Sequence, residues 1–176
     1  CVSGHMISDC FQGIRLGNLL DAASIARIGH DVDLLIETTS AYTVKFSKFT
    51  GISGEALSIG VSRGTHVDLR FSFVNPDDND APVNLAFFKM TALDVDTNSN
   101  GAQVECTTLL TTPLSYHLSD DTTVSATNTA DGTKLCATAA DVPNFASGTP
   151  SAAQKNAGFT VVYEDVDSFE MRIAMQ

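Results

Sequence analysis

The chain has 176 residues, its formal net charge is −11, and only ten Lys and Arg residues are scattered along it. Nucleic acids and anionic membrane surfaces are bound through clustered basic side chains, so this charge pattern excludes both as partners. The sequence also contains no apolar run near the ~20 residues that a membrane-spanning helix needs, which excludes membrane insertion by a helix.

The first 28 residues predict an N-terminal arm in front of a single domain that spans residues 29–176. Four apolar residues in the arm recur at helical spacing: Leu16, Leu19, Leu20 and Ala23. This spacing favours one or two helical turns, and an irregular arm is the alternative. The segment Ile25–Ile28 is only weakly strand-like.

Apolar and polar residues alternate in several short segments, which predicts β-strands. The clearest alternation runs over residues 67–73, where Val67, Leu69, Phe71 and Phe73 are expected to face the core. The other predicted strands span residues 32–43, 56–61, 83–95, 102–109, 115–118, 122–126, 133–139, 159–163 and 169–174. A short helical turn is predicted over 151–156, after a proline.

Two details of this pattern bear on the arrangement of the strands. Segment 83–95 is apolar on both faces in its middle, which predicts a strand at the centre of a sheet. Asp131-Gly132 predicts a hairpin between strands 122–126 and 133–139. About ten strands broken by Gly, Pro and Asn indicate an all-β fold, an antiparallel β-sandwich or jelly roll with one core.

The four cysteines are Cys1, Cys10, Cys106 and Cys136. Their spacing argues against a zinc or thioredoxin-type site, and their even number fits two disulfides with three possible connectivities. Because Cys106 and Cys136 lie in predicted strands, we favour a cross-strand or inter-sheet bridge between them, and a Cys1–Cys10 bridge that closes a small loop. Buried free thiols are the alternative. Disulfides would place the protein outside the cell or on its surface.

The sharpest local motif covers residues 94–101, where Asp96, Asn98 and Asn100 alternate before a glycine, as at the start of a calcium-binding loop. An EF-hand would need Glu where Thr107 stands and helices on both sides, so the motif predicts a calcium site on a β-loop. An Asn/Gly-rich hairpin without metal is the alternative. The candidate ligands are Asp94, Asp96, Asn98 and Asn100, with Glu105, or Asp165 and Asp167, completing the shell.

The groups that catalysis requires do not form a recognisable set. The sequence contains no Gly-x-Ser-x-Gly elbow and no phosphate-binding glycine loop, and its four histidines stand alone. It contains no Trp and only three Tyr to stack on sugars. We therefore predict that the protein is not an enzyme. It has no Asn-x-Ser/Thr sequon, so any glycans would be attached to Ser and Thr hydroxyls.

Several short motifs follow one another in a fixed order between residues 24 and 174. They are Asp33-Leu34, Tyr42, Gly64-Thr65-His66-Val67-Asp68-Leu69-Arg70-Phe71-Ser72-Phe73, Asp94-Val95-Asp96, Glu105, Tyr116-His117-Leu118, Thr123-Val124, Gln154 and Asp167-Ser168-Phe169. This order resembles a large group of secreted β-sandwich domains of algae and other aquatic protists. The chain departs from that pattern at Ala92-Leu93, where the group has an aromatic residue, and in having Cys106 and Cys136. The resemblance implies an extracellular location and no known catalytic role.

These observations lead to three hypotheses about function. The first is a structural subunit of an extracellular fibril or surface layer, in which the N-terminal arm adds a strand to the sheet of a neighbouring copy, head to tail. A surface rich in Thr and Ser with few charges suits such close lateral packing. The second is a calcium-dependent carbohydrate- or surface-binding module, which needs metal in the 94–105 loop. An enzyme of an unrecognised type is a third and weaker reading.

Overall fold

Antiparallel strands make up most of the chain that the structure, a computed structural model, describes. The described residues are 14–16, 29–42, 51–53, 56–98, 100–140, 142, 145 and 147–176. The strands and the short helix α1 are, in chain order, β1 Ile14–Leu16, β2 Asp33–Thr38, β3 Gly51–Ser53, β4 Ala56–Ser58, β5 Thr65–Asn75, β6 Ala81–Pro82, β7 Leu85–Ala92, β8 Glu105–Leu109, β9 Ser115–His117, β10 Val124–Thr129, β11 Gly132–Ala137, α1 Ala152–Asn156, β12 Phe159–Val166 and β13 Ser168–Met175.

Two antiparallel sheets form a sandwich. The larger sheet has the order β1-β2-β5-β13-β8-β11-β10, with β6 paired to β5, and the smaller sheet has the order β7-β12-β9. The strands β3 and β4 form a separate two-stranded sheet. The predicted all-β sandwich is therefore confirmed. No helix in the described part of the chain is long and apolar enough to cross a membrane.

The predicted inner face of β5 is confirmed, because Val67, Leu69, Phe71 and Phe73 are all at most 3% exposed. Hydrogen-bonded neighbours on both edges, β2 and β13, satisfy the backbone of this central strand. Period-two alternation then places its apolar side chains on one face.

Aromatic side chains from both sheets meet in the middle of the sandwich. Phe169 of β13 stacks on Phe71 with ring centroids 4.7 Å apart, and on Tyr163 of the smaller sheet at 4.6 Å. Phe88 of the smaller sheet contacts Phe73 edge to face at 4.6 Å. These rings join the two sheets into one core.

The hairpin predicted at Asp131-Gly132 is confirmed. Strands β10 and β11 pair up to Thr129 and Gly132, which leaves a two-residue loop. Gly132 has φ +132°, and a Cβ atom there would lie 2.1 Å from the carbonyl oxygen of Leu109 on β8. Only glycine fits this position, because the neighbouring strand lies directly against its backbone.

The predicted disulfide between Cys106 and Cys136 is present, and it is a cross-strand bridge within the larger sheet. The two residues lie directly opposite each other on β8 and β11, with their Cα atoms 4.1 Å apart. The other predicted pair, Cys1 and Cys10, lies outside the described residues.

The prediction that segment 83–95 forms a central strand is wrong. In the described structure β7 is an outer strand of the smaller sheet and pairs only with β12. Phe88 and Met90 pack against the core, whereas Phe87 points outward and is 59% exposed. The exposed Phe87 gave the sequence the appearance of a strand that is buried on both faces.

The helical turn predicted from Leu16 is also wrong at its first residue, because Leu16 ends strand β1. Pairing with β2 supplies partners for the backbone of β1, and its two apolar side chains pack against the core. These tertiary contacts outweigh a weak helical spacing. The other residues of that pattern, Leu19, Leu20 and Ala23, lie outside the described residues.

Candidate functional site

Strand β1 is the part of the N-terminal arm that the structure describes, and it lies at one edge of the larger sheet. Ile14 and Leu16 are opposite Ile36 and Leu34 of β2 and are half-buried against the core. A strand of three residues is not stable by itself. The apolar packing and the backbone pairing with β2 therefore hold β1 in place.

Arg15, between these two apolar residues, fixes the position of β1 through two carboxylates. Its Nε donates to Asp33 Oδ2 at 2.7 Å, and its Nη2 donates to Asp80 Oδ1. Asp33 is only 8% exposed, whereas Asp80 lies in the turn between β5 and β6 with φ +59°. The hydrogen bond to Asp80, with the nearby negative charges, raises the pKa of Arg15 further above its ordinary value.

Three kinds of contact hold β1 along the edge of β2. The backbone of β2 binds the backbone of β1, both apolar side chains of β1 pack on the core face, and the pair of carboxylates receives one guanidinium on the other face. A one-residue slip of β1 would move Arg15 to the core face and both apolar residues outward. These contacts therefore fix the register of β1 on the edge of β2.

The sequence contained a weak signal for this strand, the alternation Ile14-Arg15-Leu16. Three residues are too few to separate a strand from chance, and the carboxylates that receive Arg15 lie 18 and 65 positions further along the chain. Sequence analysis missed this site for that reason.

The second candidate site is the hairpin at residues 94–105, whose asparagine side chains stabilise the turn itself. Asn98 Oδ1 accepts a hydrogen bond from the backbone N–H of Gln103 at 3.0 Å. Asn100 Oδ1 accepts one from the backbone N–H of Ala102 at 3.0 Å. Both amide oxygens, two of the predicted calcium ligands, thus satisfy backbone donors of the loop.

Asp94 differs from these asparagines. It has φ +67°, and its Oδ1 is buried without a hydrogen-bond partner among the described residues. Burial and, to a smaller extent, the negative charge of Asp96 together raise the pKa of Asp94 to about 6. Asp96 itself accepts a hydrogen bond from the backbone N–H of Val142 at 3.1 Å.

The remaining predicted ligands are divided between the two ends of the smaller sheet. Glu105 is close to the loop, because its backbone N–H donates to the carbonyl of Asp96 at 3.1 Å. Asp94 follows the end of β7 that pairs with the start of β12, whereas Asp165 and Asp167 lie at the far end of β12. Seven residues of strand, roughly 23 Å, separate these ends, so Asp165 and Asp167 do not reach the loop.

Within the described residues, no group of three or more His, Cys, Asp or Glu side chains is arranged to hold a metal ion. A loop site would therefore depend on backbone and amide oxygens together with the Asp94 and Asp96 carboxylates. Calcium at this hairpin stays a prediction.

The chain matches no protein-family model, and no curated protein is similar to it in sequence. Among solved structures it is similar to the N-terminal domain of the Streptococcus gordonii adhesin Sgo0707, with a TM-score of 0.54 and 9% identity. The match covers 93% of this chain and 44% of that chain, so the present chain spans less than half of its length. At this identity the similarity supports the all-β sandwich fold.

Proposed function

We propose that the protein is a structural subunit of an extracellular or cell-surface assembly whose copies are joined by exchange of the N-terminal arm. The observation that carries this proposal is the docking of β1 on the edge of β2. In the assembled state, β1 of one copy would lie on β2 of the next copy in the same register.

Arm exchange preserves every contact that β1 makes within one chain. The backbone pairing, the two apolar side chains and the ion pairs of Arg15 with Asp33 and Asp80 would form equally well between chains. The free-energy difference between the two states is then set by protein concentration and by the segment that connects the strands.

The connecting segment is long enough for exchange. Sixteen residues separate Leu16 from Asp33, and an extended chain of that length spans up to roughly 55 Å. A compact domain of this size has a diameter of roughly 40 Å, so the arm can reach β2 of a neighbouring copy. Successive exchange in one direction gives a filament, whereas reciprocal exchange gives a closed dimer.

Two further observations support an extracellular setting. The Cys106–Cys136 disulfide is of a kind that persists in oxidising compartments. The fold is shared with a domain of a protein named as a bacterial adhesin. Neither observation depends on the arm.

A crosslinking experiment tests the exchange directly. Ile14 and Ile36 lie opposite each other in the β1–β2 pair, so the double variant Ile14→Cys, Ile36→Cys places two thiols across it and keeps Arg15 in place. A one-to-one mixture of ¹⁴N- and ¹⁵N-labelled chains would be co-refolded at high concentration and joined with a short thiol crosslinker. Mass spectrometry then separates crosslinks within one chain from mixed-isotope crosslinks between chains.

Arm exchange predicts that about half of the crosslinked peptides are mixed in isotope, and that this share falls on dilution before crosslinking. The matched control is Ile14→Cys with Leu34→Cys, which moves the second thiol two residues along the same face of β2 and should crosslink poorly. Crosslinks confined to single chains at every concentration would contradict arm exchange. Negative-stain electron microscopy and light scattering of the unmodified protein test assembly itself, and a monomer at all concentrations would exclude a structural subunit.

A second candidate function is a calcium-dependent surface- or carbohydrate-binding module. One observation favours it, the buried and unpartnered Oδ1 of Asp94 beside the carboxylate of Asp96. A divalent cation would neutralise this pair and remove the cost of burying the Asp94 charge. Stability measured with calcium and with chelator tests this candidate.

A further inference from the structure

A cleft of about 330 Å³ opens at the end of the smaller sheet, where α1 meets the start of β12. Its walls come from the ends of β7 and β9, the start of β12 and α1. The polar and charged side chains that line it are Thr91, His117, Ser119, Lys155 and Thr160. This cleft has no part in the function proposed above and is separate from the candidate calcium ligands of the hairpin at residues 94–105.

Three of these side chains form a row across the smaller sheet. Thr160 of the central strand lies opposite both Thr91 of β7 and His117 of β9, so all three are on the same face. The hydroxyls of Thr91 and Thr160 are 2.9 Å apart, and Nε2 of His117 is 3.1 Å from the hydroxyl of Ser115. The Thr91–Thr160–His117 row thus presents hydrogen-bonding groups at the spacing of neighbouring strands, about 4.8 Å.

The charge of the cleft is opposite to that of the chain as a whole. Lys155 is exposed in the last turn of α1 and forms no ion pair with a described carboxylate, and no acidic side chain lines the cleft. Lys155 is therefore the one Lys or Arg that lines the cleft, and no described carboxylate neutralises its charge, in a chain of net charge −11.

The base of the cleft is tightly closed and apolar. A Cβ atom at Gly158 would lie 2.6 Å from the carbonyl oxygen of Ala92 and 3.0 Å from Cδ2 of Leu93. Gly158, the second of two residues between α1 and β12, therefore has no room for a side chain, and its backbone packs directly against the end of β7. Phe159, which is 2% exposed, and Leu118 complete the apolar part of the wall.

We propose that this cleft binds the carboxylate-bearing unit of an acidic saccharide. Lys155 would pair with the carboxylate, while the Thr91–Thr160–His117 row would hydrogen-bond the sugar hydroxyls. The apolar wall suits the C–H face of a sugar ring. A phosphate would need a denser set of cations or backbone N–H groups than the one lysine supplies.

This inference is independent of arm exchange, because none of the cleft residues belongs to β1 or β2. Its probe is trigalacturonic acid, which carries carboxylates on sugar rings, compared with the methyl ester of the same trisaccharide. The experiment is an NMR titration of ¹⁵N-labelled protein, with shift changes mapped on the chain. We expect the acid to shift signals around Thr91, Thr160 and Lys155, and the ester to bind at least roughly tenfold more weakly.

Three variants distinguish binding in the cleft from a general effect of the protein's charge. Lys155→Gln is expected to weaken binding of the acid roughly tenfold, since it removes a charge-assisted hydrogen bond. Thr160→Val should weaken it less and should affect acid and ester alike. The matched control is Lys134→Gln on β11 of the other sheet, which removes the same charge and should leave binding unchanged.

Three outcomes would overturn the proposal. They are shift changes that map outside the cleft, equal affinity of Lys155→Gln and the unmodified chain, and equal affinity for acid and ester. Sodium acetate at the same carboxylate concentration distinguishes a saccharide from any small anion. Acetate shifts as large as those with the trisaccharide would also overturn the assignment to a saccharide.

Discussion

Replacing Asp94 with Asn is expected to stabilise the protein at neutral pH. The pKa of the Asp94 carboxyl is raised from 3.8 to about 6 in the folded chain, chiefly by burial and then by the charge of Asp96. Since this folded-state pKa lies above the unfolded value, the folded chain holds the proton more tightly. The stabilisation from protonated Asp94 is complete below pH about 4 and is lost as the pH rises through about 6.

The structure sets the size of this effect. A pKa difference between 3.8 and about 6 corresponds to about 3 kcal/mol of folding free energy above pH 6. Partial exposure of the side chain to solvent reduces the expected effect to about 1–2 kcal/mol. Asn removes the charge, keeps the shape and tolerates φ +67°, so the backbone of the loop should be preserved.

Urea unfolding of the two chains at pH 4 and pH 7.5 measures this difference. The Asp94→Asn variant should exceed the unmodified chain by about 1–2 kcal/mol at pH 7.5 and by little at pH 4. The surface variant Asp120→Asn is the control and should show no such pH-dependent difference. A variant that is less stable at pH 7.5, or that gains equally at both pH values, would refute the reasoning about burial.

The same pair of chains tests the calcium hypothesis. If Asp94 is a ligand, calcium should stabilise the unmodified chain in proportion to RT ln(1 + [Ca²⁺]/Kd), and the Asn variant should lose most of this gain. Unfolding curves that do not move between calcium and chelator would contradict a calcium site at this hairpin.

Three further sets of substitutions test the disulfide, the β10–β11 hairpin and the aromatic core. Replacing both Cys106 and Cys136 with Ala is expected to cost about 3.6 kcal/mol for the 30-residue separation, and urea midpoints that do not change would contradict a structural bridge. Gly132→Ala should cost about 1–3 kcal/mol, because the new methyl group meets a neighbouring strand; calorimetry showing no loss of Tm would show that the hairpin can shift. Phe169→Ala should lower the free energy of unfolding in urea by about 3–5 kcal/mol. Phe87→Ala, at a position 59% exposed, should lower it by less than about 0.5 kcal/mol. Equal losses would contradict the assignment of Phe169 to the core and Phe87 to the surface.

The sequence predicted the fold wherever one local pattern was sufficient. In β5 every second residue is buried and both edges are paired, so alternation alone identified the strand and its inner face. In β7 the same reasoning failed, because position in a sheet is decided by which strands lie on either side. Phe87 made an edge strand look buried on both faces, and only the pairing with β12 corrects that.

Local sequence patterns predicted less about the candidate sites than about the fold. The acidic hairpin was recognisable because its residues are adjacent in sequence, but the sequence does not show that Asn98 and Asn100 bond to their own loop. The cleft could not be predicted at all. Its row joins residues from three strands, and the register that aligns Thr91, Thr160 and His117 is a property of the folded sheet.

The edge of β2 combines two properties that a strand-exchanging subunit needs. Its residues Leu34 and Ile36 are 5% and 0% exposed with β1 in place, so withdrawal of β1 uncovers apolar side chains and backbone groups together. An uncovered edge of this kind binds another β-strand. If it bound strands of any sequence, it would promote aggregation. The carboxylates of Asp33 and Asp80 limit the choice, because a strand without a cation at the middle position would leave the nearly buried Asp33 facing a second negative charge. The selectivity of the edge therefore comes from charge, while its affinity comes from apolar burial and backbone pairing.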